Sequence, residues 1–176
     1  MQLHPTKIPE VIEIVPSVFS DDRGSFLEQY NQEVYTTAGI LPSFVQDNLS
    51  VSKKGVLRGL HFQSEPYAQD KLVTVIFGTV FDVAVDLRPD SSTYKQWVSV
   101  ILDHNTHNQL FIPKGFAHGF YVMSSEARFF YKCSAPYNKE ASSGIRWDDP
   151  TLAIQWPLEG DPILSSQDLA LPFLQN

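Results

Sequence analysis

Three polar side chains that can move protons or bind anions lie close together in one apolar part of the chain. Arg58 and His61 belong to the run Val56-Leu-Arg-Gly-Leu-His-Phe-Gln63, and Lys71 follows eight residues later. An imidazole can act as a general base, while guanidinium and ammonium groups stabilise negative charge. The grouping is typical of a catalytic site, but an exposed arginine beside a hydrogen-bonded core histidine would explain it equally well.

The strand that carries Arg58 and His61 needs an irregularity to bring the two side chains together. Successive residues of a strand point to opposite faces, so an ideal strand would separate these two groups. Gly59 lies between them, and a glycine inside a strand often marks a bulge that redirects a neighbouring side chain. We therefore expect a β-bulge at Gly59.

The composition predicts one soluble domain over residues 1–176. The length suits a single core, and 43% apolar and 19% charged residues argue against disorder. No apolar run is long enough for a membrane span, and the first residues lack a secretory leader, so we expect a cytoplasmic location. The only cysteine, Cys133, excludes an internal disulfide and favours core packing. A net charge of −7 without a basic cluster argues against nucleic-acid binding.

Short runs of alternating or β-branched residues predict an all-β sandwich or barrel. Helical periodicity is confined to residues 31–38 and a few residues after Asp168. A polar segment rich in proline follows Trp147 and predicts a looping C-terminal part. The predicted strands cover residues 11–15, 44–51, 56–62, 71–77, 80–87, 97–102, 109–112, 117–122 and 128–133.

The strand at residues 80–87 places two carboxylates on one face. Asp82 and Asp86 share that face, and they line either solvent or a polar cavity. The preceding Phe-Gly-Thr-Val at 77–80 resembles a tight hairpin turn. If so, Lys71 lies across the hairpin, where an aspartate can hold its ammonium group.

Further polar clusters, taken together, identify a family. In order along residues 8 to 174 stand the segments Asp22-Arg-Gly-Ser-Phe, Gln46-Asp-Asn-Leu-Ser, Gly55-Val-Leu-Arg-Gly-Leu-His-Phe-Gln, Lys71-Leu-Val, Asp82-Val-Ala-Val-Asp-Leu-Arg, Phe111-Ile-Pro-Lys-Gly-Phe-Ala-His-Gly-Phe, Tyr131-Lys-Cys, Gly144-Ile-Arg-Trp-Asp-Asp-Pro, Ile154-Gln-Trp-Pro and Leu164-Ser-Ser-Gln-Asp. Through these segments the chain resembles the nucleotide-sugar 3,5-epimerases, specifically the dTDP-4-dehydrorhamnose 3,5-epimerase family.

The resemblance implies a cupin-like jelly roll with short peripheral helices, which agrees with the predicted strands. It also implies a homodimer that epimerises a nucleoside-diphospho-4-keto-6-deoxy hexose at C3 and C5 without a cofactor or metal. The C4 ketone acidifies the neighbouring C–H bonds, so a base and an acid suffice. The implied roles are His61 as base, Asp168 as its partner, Tyr131 as acid and Lys71 as the cation that stabilises the enolate.

The resemblance further implies a set of residues that bind the nucleotide sugar. Tyr137 would stack on the base, and the other members are Arg23, Glu28, Gln46, Asp47, Asn48, Arg58, Asp82 and His118. Residue types alone leave other interpretations open. Arg23 can simply close a turn after two aspartates, His118 can be a core histidine, and tyrosines more often pack than catalyse.

Two departures from the family pattern fall where its members contact the nucleotide. The family commonly has Pro-Glu-x-Glu after the stacking tyrosine, whereas this chain has Asn138-Lys-Glu-Ala-Ser142. Near the C-terminus Gln167 replaces the usual lysine before Asp168. The implied catalytic residues are all present. The base of the nucleotide therefore stays open, as does epimerisation at only one carbon.

Two rival hypotheses belong to other classes of protein. A metal cupin would use His61 and His118 as ligands, but such proteins usually have a second histidine where this chain has Gln63, a poor ligand for transition metals. A non-catalytic sugar-binding module would keep a pocket without turnover. Binding alone does not require a base and an acid, which favours the enzyme.

Overall fold

The structure, a computed structural model described over residues 1–174, is built mainly from antiparallel strands. Within that range no helix is long and apolar enough to span a membrane. The elements are β1 (Gln2–Pro5), β2 (Ile12–Val15), β3 (Val18–Asp21), β4 (Gly24–Leu27), α1 (Gln32–Thr37), β5 (Gln46–Lys53), β6 (Leu57–Gln63), β7 (Lys71–Phe77), β8 (Thr79–Asp86), β9 (Trp97–Asp103), β10 (Gln109–Ile112), β11 (Phe116–Val122), β12 (Glu126–Cys133), β13 (Ser142–Gly144) and α2 (Ser166–Leu169).

Two sheets form the body of the molecule. One has six strands in the order β1-β2-β10-β7-β12-β5, and the other has five in the order β13-β6-β11-β8-β9. Strands of both sheets contribute to one buried cluster, with Val75 and Phe129 from the first sheet and Ala84 and Phe120 from the second. The sheets therefore pack face to face in the predicted jelly roll.

Two smaller apolar clusters cover the outer faces of the sheets. Tyr35 of α1 packs with Ile14, Leu72 and Phe111 on the six-stranded sheet, and its hydroxyl donates to Gln109 Oε1 at 2.8 Å. On the five-stranded sheet, residues of the C-terminal segment pack over Leu60, Val83 and Ala117. That segment runs largely without regular structure from Trp147 to Ser165, as predicted.

The predicted hairpin at residues 77–80 is wrong. β7 and β8 follow each other in the chain, but they lie in different sheets and do not pair. The chain crosses between the sheets at Gly78, whose φ is +84°. A Cβ at this position would lie 2.1 Å from the Glu126 carbonyl oxygen. Only glycine fits there, because any side chain would clash with the backbone.

The predicted strands match observed strands with small shifts, and residues 71–77 and 109–112 match without any. Four short strands were not predicted, namely β1, β3, β4 and β13. The second helix includes Asp168 rather than following it, because Ser165 caps its first turn.

The two carboxylates of β8 are buried, so a solvated face is the wrong interpretation for them. Asp86 accepts hydrogen bonds from Arg88, Ser91 and Thr93. Burial alone would raise the pKa of Asp86, but these three donors hold it well below its usual range. Asp86 therefore anchors the loop after β8, whereas Asp82 pairs with His118, which lines the pocket described next.

Candidate active site

A pocket of about 290 Å³ opens between the two sheets. Its lining combines cations, imidazoles and phenols with apolar rings, which suits a polar ligand held in a shaped cavity. Six of the predicted site residues line it, namely Arg58, His61, Lys71, His118, Tyr131 and Tyr137. The structure therefore gathers residues that are up to 79 positions apart in the sequence (137 − 58).

The expected bulge at Gly59 brings Arg58 and His61 into the same pocket. His118 of β11 pairs with His61 and Phe120 pairs with Arg58, so β6 has one more residue than β11 between these pairs. Gly59 has φ +123°, and a Cβ there would lie 2.5 Å from Gly119 Cα. A side chain at position 59 would push the two strands apart.

His61 is paired with Asp168 across 107 residues of sequence. The distance from His61 Nε2 to Asp168 Oδ1 is 2.5 Å, and the carboxyl is almost fully buried. Burial alone would raise the pKa of Asp168, but the hydrogen bond and charge of His61, the Ser165 hydroxyl and Arg58 lower it overall. The carboxylate thus fixes the imidazole and leaves Nδ1 as the nitrogen that can accept a proton.

Lys71 places a buried ammonium group in the pocket, next to the backbone of His61. Its Nζ donates to the His61 carbonyl oxygen at 3.4 Å. Burial lowers the pKa of Lys71, while the nearby Cys133 and Asp82 act in the opposite direction. A cation held in a site with little water interacts strongly with any negative charge that develops nearby.

Tyr131 approaches the pocket from the opposite side. It lies on β12 of the six-stranded sheet, whereas His61 lies on β6 of the five-stranded sheet. Burial raises the pKa of Tyr131, with Arg58 opposing the shift, so the phenol keeps its proton at neutral pH. The site therefore has an imidazole on one wall and a protonated phenol on the facing wall.

His118 and Asp82 form a buried pair below the pocket. His118 Nε2 lies 2.9 Å from Asp82 Oδ2, and the imidazole stacks on Phe129. Burial lowers the pKa of His118 and raises that of Asp82, and each partner opposes the shift of the other. Both interpretations of His118 apply, because it is a hydrogen-bonded core histidine and also lines the pocket.

Gln46 and Asn48 support the pocket from the inward face of β5. Gln46 Oε1 accepts from the Tyr137 backbone N–H at 2.9 Å, and Gln46 Nε2 donates to Asn48 Oδ1. Asn48 Nδ2 in turn donates to Cys133 Sγ at 3.7 Å. These contacts fix the loop that carries Tyr137, whose side chain is 59% exposed at the mouth.

Three predicted site residues do not reach the pocket within this chain. Arg23 lies at the tip of the β3–β4 hairpin, where it pairs with Asp21 and has 90% of its side chain exposed. Glu28 is exposed and accepts from Asn31. Asp47 points outward from β5 and binds Lys132 Nζ at 2.8 Å.

Three supporting residues were not predicted from the sequence. Ser165 donates to Asp168 Oδ2, Ser52 accepts from Arg58 Nε, and Gln63 bonds the backbone of both loops beside the pocket. The Ser-x-x-Asp spacing of a capping box could have revealed Ser165. Ser52 and Gln63 have no comparable local signal, since their partners depend on the tertiary fold.

No group of three or more histidine, cysteine, aspartate or glutamate side chains is placed to hold a metal ion within residues 1–174. His61 and His118 face each other across β6 and β11, but each is engaged by its own aspartate.

Comparisons with known proteins agree with this site. The family model of dTDP-4-dehydrorhamnose 3,5-epimerase matches residues 5–176. The Escherichia coli K12 enzyme of that name is 52% identical over 164 residues, covering 93% of this chain and 89% of its own length.

Two solved structures have the same fold over nearly their whole length. The epimerase of Legionella pneumophila in complex with dTDP-4-keto-L-rhamnose is 47% identical, with a TM-score of 0.93 and 99% of each chain covered. That of Bacillus anthracis with TDP and pyrophosphate bound is 46% identical, with a TM-score of 0.95 and 98% and 99% covered. The chain belongs to the dTDP-4-dehydrorhamnose 3,5-epimerase family.

Proposed function

We propose that this chain is an isomerase that acts as one domain, in the cytoplasm, on a nucleoside-diphospho-4-keto-6-deoxy hexose. The reaction is epimerisation at C3 and C5, which converts dTDP-4-dehydro-6-deoxyglucose to dTDP-4-dehydrorhamnose. The observation that carries the proposal is the placement of His61 and Tyr131 on opposite sheets across one pocket. Inversion of a carbon needs proton removal on one face and proton return on the other.

His61 begins the reaction by taking a proton from the carbon next to the ketone. The C–H electron pair moves into the ring, and the negative charge collects on the C4 oxygen. Asp168 stabilises the imidazolium that forms, because its carboxylate lies 2.5 Å from Nε2. Lys71 stabilises the enolate oxygen, and one such donor contributes roughly 10²–10³-fold in other enzymes.

Tyr131 completes the inversion. Its phenol gives a proton to the opposite face of the carbon, and the electron pair returns from the enolate as the ketone re-forms. The raised pKa of Tyr131 supports this role, because the group must be protonated when the enolate is present. His61 then releases its proton to solvent and Tyr131 regains one from solvent, so that the same pair of residues can act at the second carbon.

The nucleotide is bound at the mouth of the pocket. Arg58 is exposed there and its Nε donates to Ser52, while its terminal nitrogens have no partner among residues 1–174 and can bind phosphate oxygens. Tyr137 presents an exposed ring to the base, and Gln46 holds its backbone. His118 and Asp82 form the floor under the sugar.

We further propose a homodimer in which Arg23 and Glu28 of one copy contribute to the pocket of the other. The β3–β4 hairpin exposes 65% of Phe19 and 70% of Phe26, and the outer face of β5 exposes Leu49 and Val51. Apolar surface of this kind marks an interface, and a hairpin that crosses it can bring Arg23 to the other pocket. Sedimentation should give twice the 19.9 kDa chain mass, and a monomer would contradict the proposal.

The two departures from the family pattern lie together on the pocket wall, since both Ser142 and Gln167 line it. We expect them to weaken the preference for thymidine nucleotides, because two charged groups are replaced by neutral ones. In the Ser142→Glu, Gln167→Lys double variant, the preference for dTDP over UDP, GDP and CDP should rise about tenfold, the effect of one polar contact. Calorimetry on both proteins measures this ratio.

The control for this comparison is Ser143→Glu, which adds a carboxylate at an exposed neighbouring position. Its relative affinities should equal those of the natural protein. Equal ratios in the natural protein and the double variant would remove any specificity role from these two positions and make dTDP the default ligand.

A substrate panel tests the proposed function. The protein, treated with a chelator, is incubated with dTDP-, UDP-, GDP- and CDP-linked 4-keto-6-deoxy hexoses, and products are read by proton NMR. We expect inversion at C3 and C5 of at least one of them without added metal. Binding without turnover would favour a non-catalytic sugar-binding protein, and activity restored only by a divalent ion would favour a metal cupin.

A further inference from the structure

One face of β5 presents four polar side chains toward the pocket side of the molecule. Alternation along the strand places Gln46, Asn48, Ser50 and Ser52 on this inward face. Gln46 holds the Tyr137 backbone, Asn48 bonds Gln46 and Cys133, and Ser52 accepts from Arg58. Three of the four are therefore satisfied inside the protein.

Ser50 is the exception. Its Oγ is buried and, among the residues described, has no hydrogen-bond partner, although Ser50 lines the pocket. Buried hydroxyl groups are nearly always paired, because leaving one unpaired costs free energy. A second orphan, Trp147 Nε1, is not part of the pocket lining. A ligand in the pocket can supply the hydrogen-bond partner that Ser50 Oγ lacks.

The strand register fixes where this hydroxyl lies along the pocket. Ser50 pairs with Phe129, and Asn48 pairs with Tyr131, the proposed acid. In the other direction, Ser52 contacts Arg58 at 3.1 Å. Residues two apart on a strand are separated by about 7 Å. Ser50 thus lies between the level of Tyr131, where the sugar reacts, and the level of Arg58.

We propose that Ser50 Oγ donates a hydrogen bond to the phosphoryl group attached to the sugar, beside Arg58. The inference rests on the proposed function, which places the sugar at Tyr131 and the diphosphate at Arg58. The group that joins these two parts of the substrate is the sugar-linked phosphate, which offers anionic oxygens to a hydroxyl donor. Ser50 is then a residue that fixes the phosphate, and Ser52 is a positioning residue that holds the arginine.

The test compares Ser50→Ala with the natural protein in calorimetric titrations with dTDP and dTMP. In dTDP the outer phosphate occupies the place of the sugar-linked one, and dTMP lacks it. Ser50→Ala should bind dTDP roughly 10- to 100-fold more weakly, the effect of one hydrogen bond to a charged group, and should bind dTMP within about twofold of the natural protein. Its melting temperature should not fall, because the hydroxyl removed has no partner in the protein.

Ser99→Ala is the matched control, since Ser99 is a half-buried strand serine on β9 outside the pocket lining. It should leave both affinities unchanged. Unchanged dTDP affinity in Ser50→Ala, or an equal loss for dTDP and dTMP, would overturn the inference. A natural protein that binds dTDP but inverts no sugar would overturn the proposed function while the phosphate contact stands. Failure of the natural protein to bind dTDP would overturn the inference, while inversion of another nucleotide sugar in the substrate panel would leave the epimerase function standing.

Discussion

His61→Asn should lose nearly all epimerisation and nearly all exchange of substrate hydrogens with solvent. Asparagine keeps the approximate shape and can still accept a hydrogen bond, but it cannot take up a proton near neutral pH. General acid–base groups contribute roughly 10²–10⁴-fold, and both half-reactions depend on this base, so we expect a loss at the upper end of that range. Rates of product formation and of deuterium uptake in D₂O measure the two effects separately.

The control for this substitution is His4→Asn, the same chemical change at an exposed position on β1. It should retain natural activity. Asp168→Asn should lose activity to a smaller extent than His61→Asn, because Asp168 acts through the imidazole it holds. Persistent deuterium uptake in His61→Asn would assign the base to another residue.

Tyr131→Phe should separate proton removal from proton return. The aromatic ring and its packing against Phe129 are kept, while the acidic hydroxyl is lost. Deprotonation by His61 should continue, so deuterium should enter the substrate with its original configuration. Formation of the inverted product should fall by roughly 10²–10⁴-fold, the contribution typical of a general acid.

Tyr94→Phe removes a hydroxyl from an exposed tyrosine in the loop after β8 and serves as the matched control. Its product should form at the natural rate. Natural rates of inversion in Tyr131→Phe would reject the phenol as the acid. Loss of both exchange and inversion in that variant would show that proton removal also needs the hydroxyl, and would contradict its assignment to the return step alone.

The sequence predicted those parts of the fold that depend on local pattern. β7 is a short run of mostly apolar residues, a pattern typical of a buried strand, and its bounds were predicted correctly. The turn at Gly78 was predicted as a hairpin, because a tight turn looks the same whether the next strand pairs with its neighbour or crosses to the other sheet. Short polar strands such as β1 have no periodic signal to detect.

In the site, too, features set by local sequence were predicted, whereas features set by the tertiary fold were not. The bulge at Gly59 follows from one residue type at one position, and the structure confirms it. Burial of Asp82 depends on the sheet that faces it, which the alternation of β8 does not specify. The turn position of Arg23 after two aspartates was one of the interpretations left open from the residue types, and the structure shows it. Its proposed role depends on a second copy of the chain.

In the proposed reaction, protons leave one face of the sugar and return to the other from groups that exchange with solvent. The most direct test is the reaction of dTDP-4-keto-6-deoxyglucose with the natural protein in D₂O, followed by proton NMR of the product at C3 and C5. We expect inversion at both carbons, with deuterium at each inverted position. An inverted product that retains its original hydrogens would contradict proton abstraction by His61 and return from Tyr131.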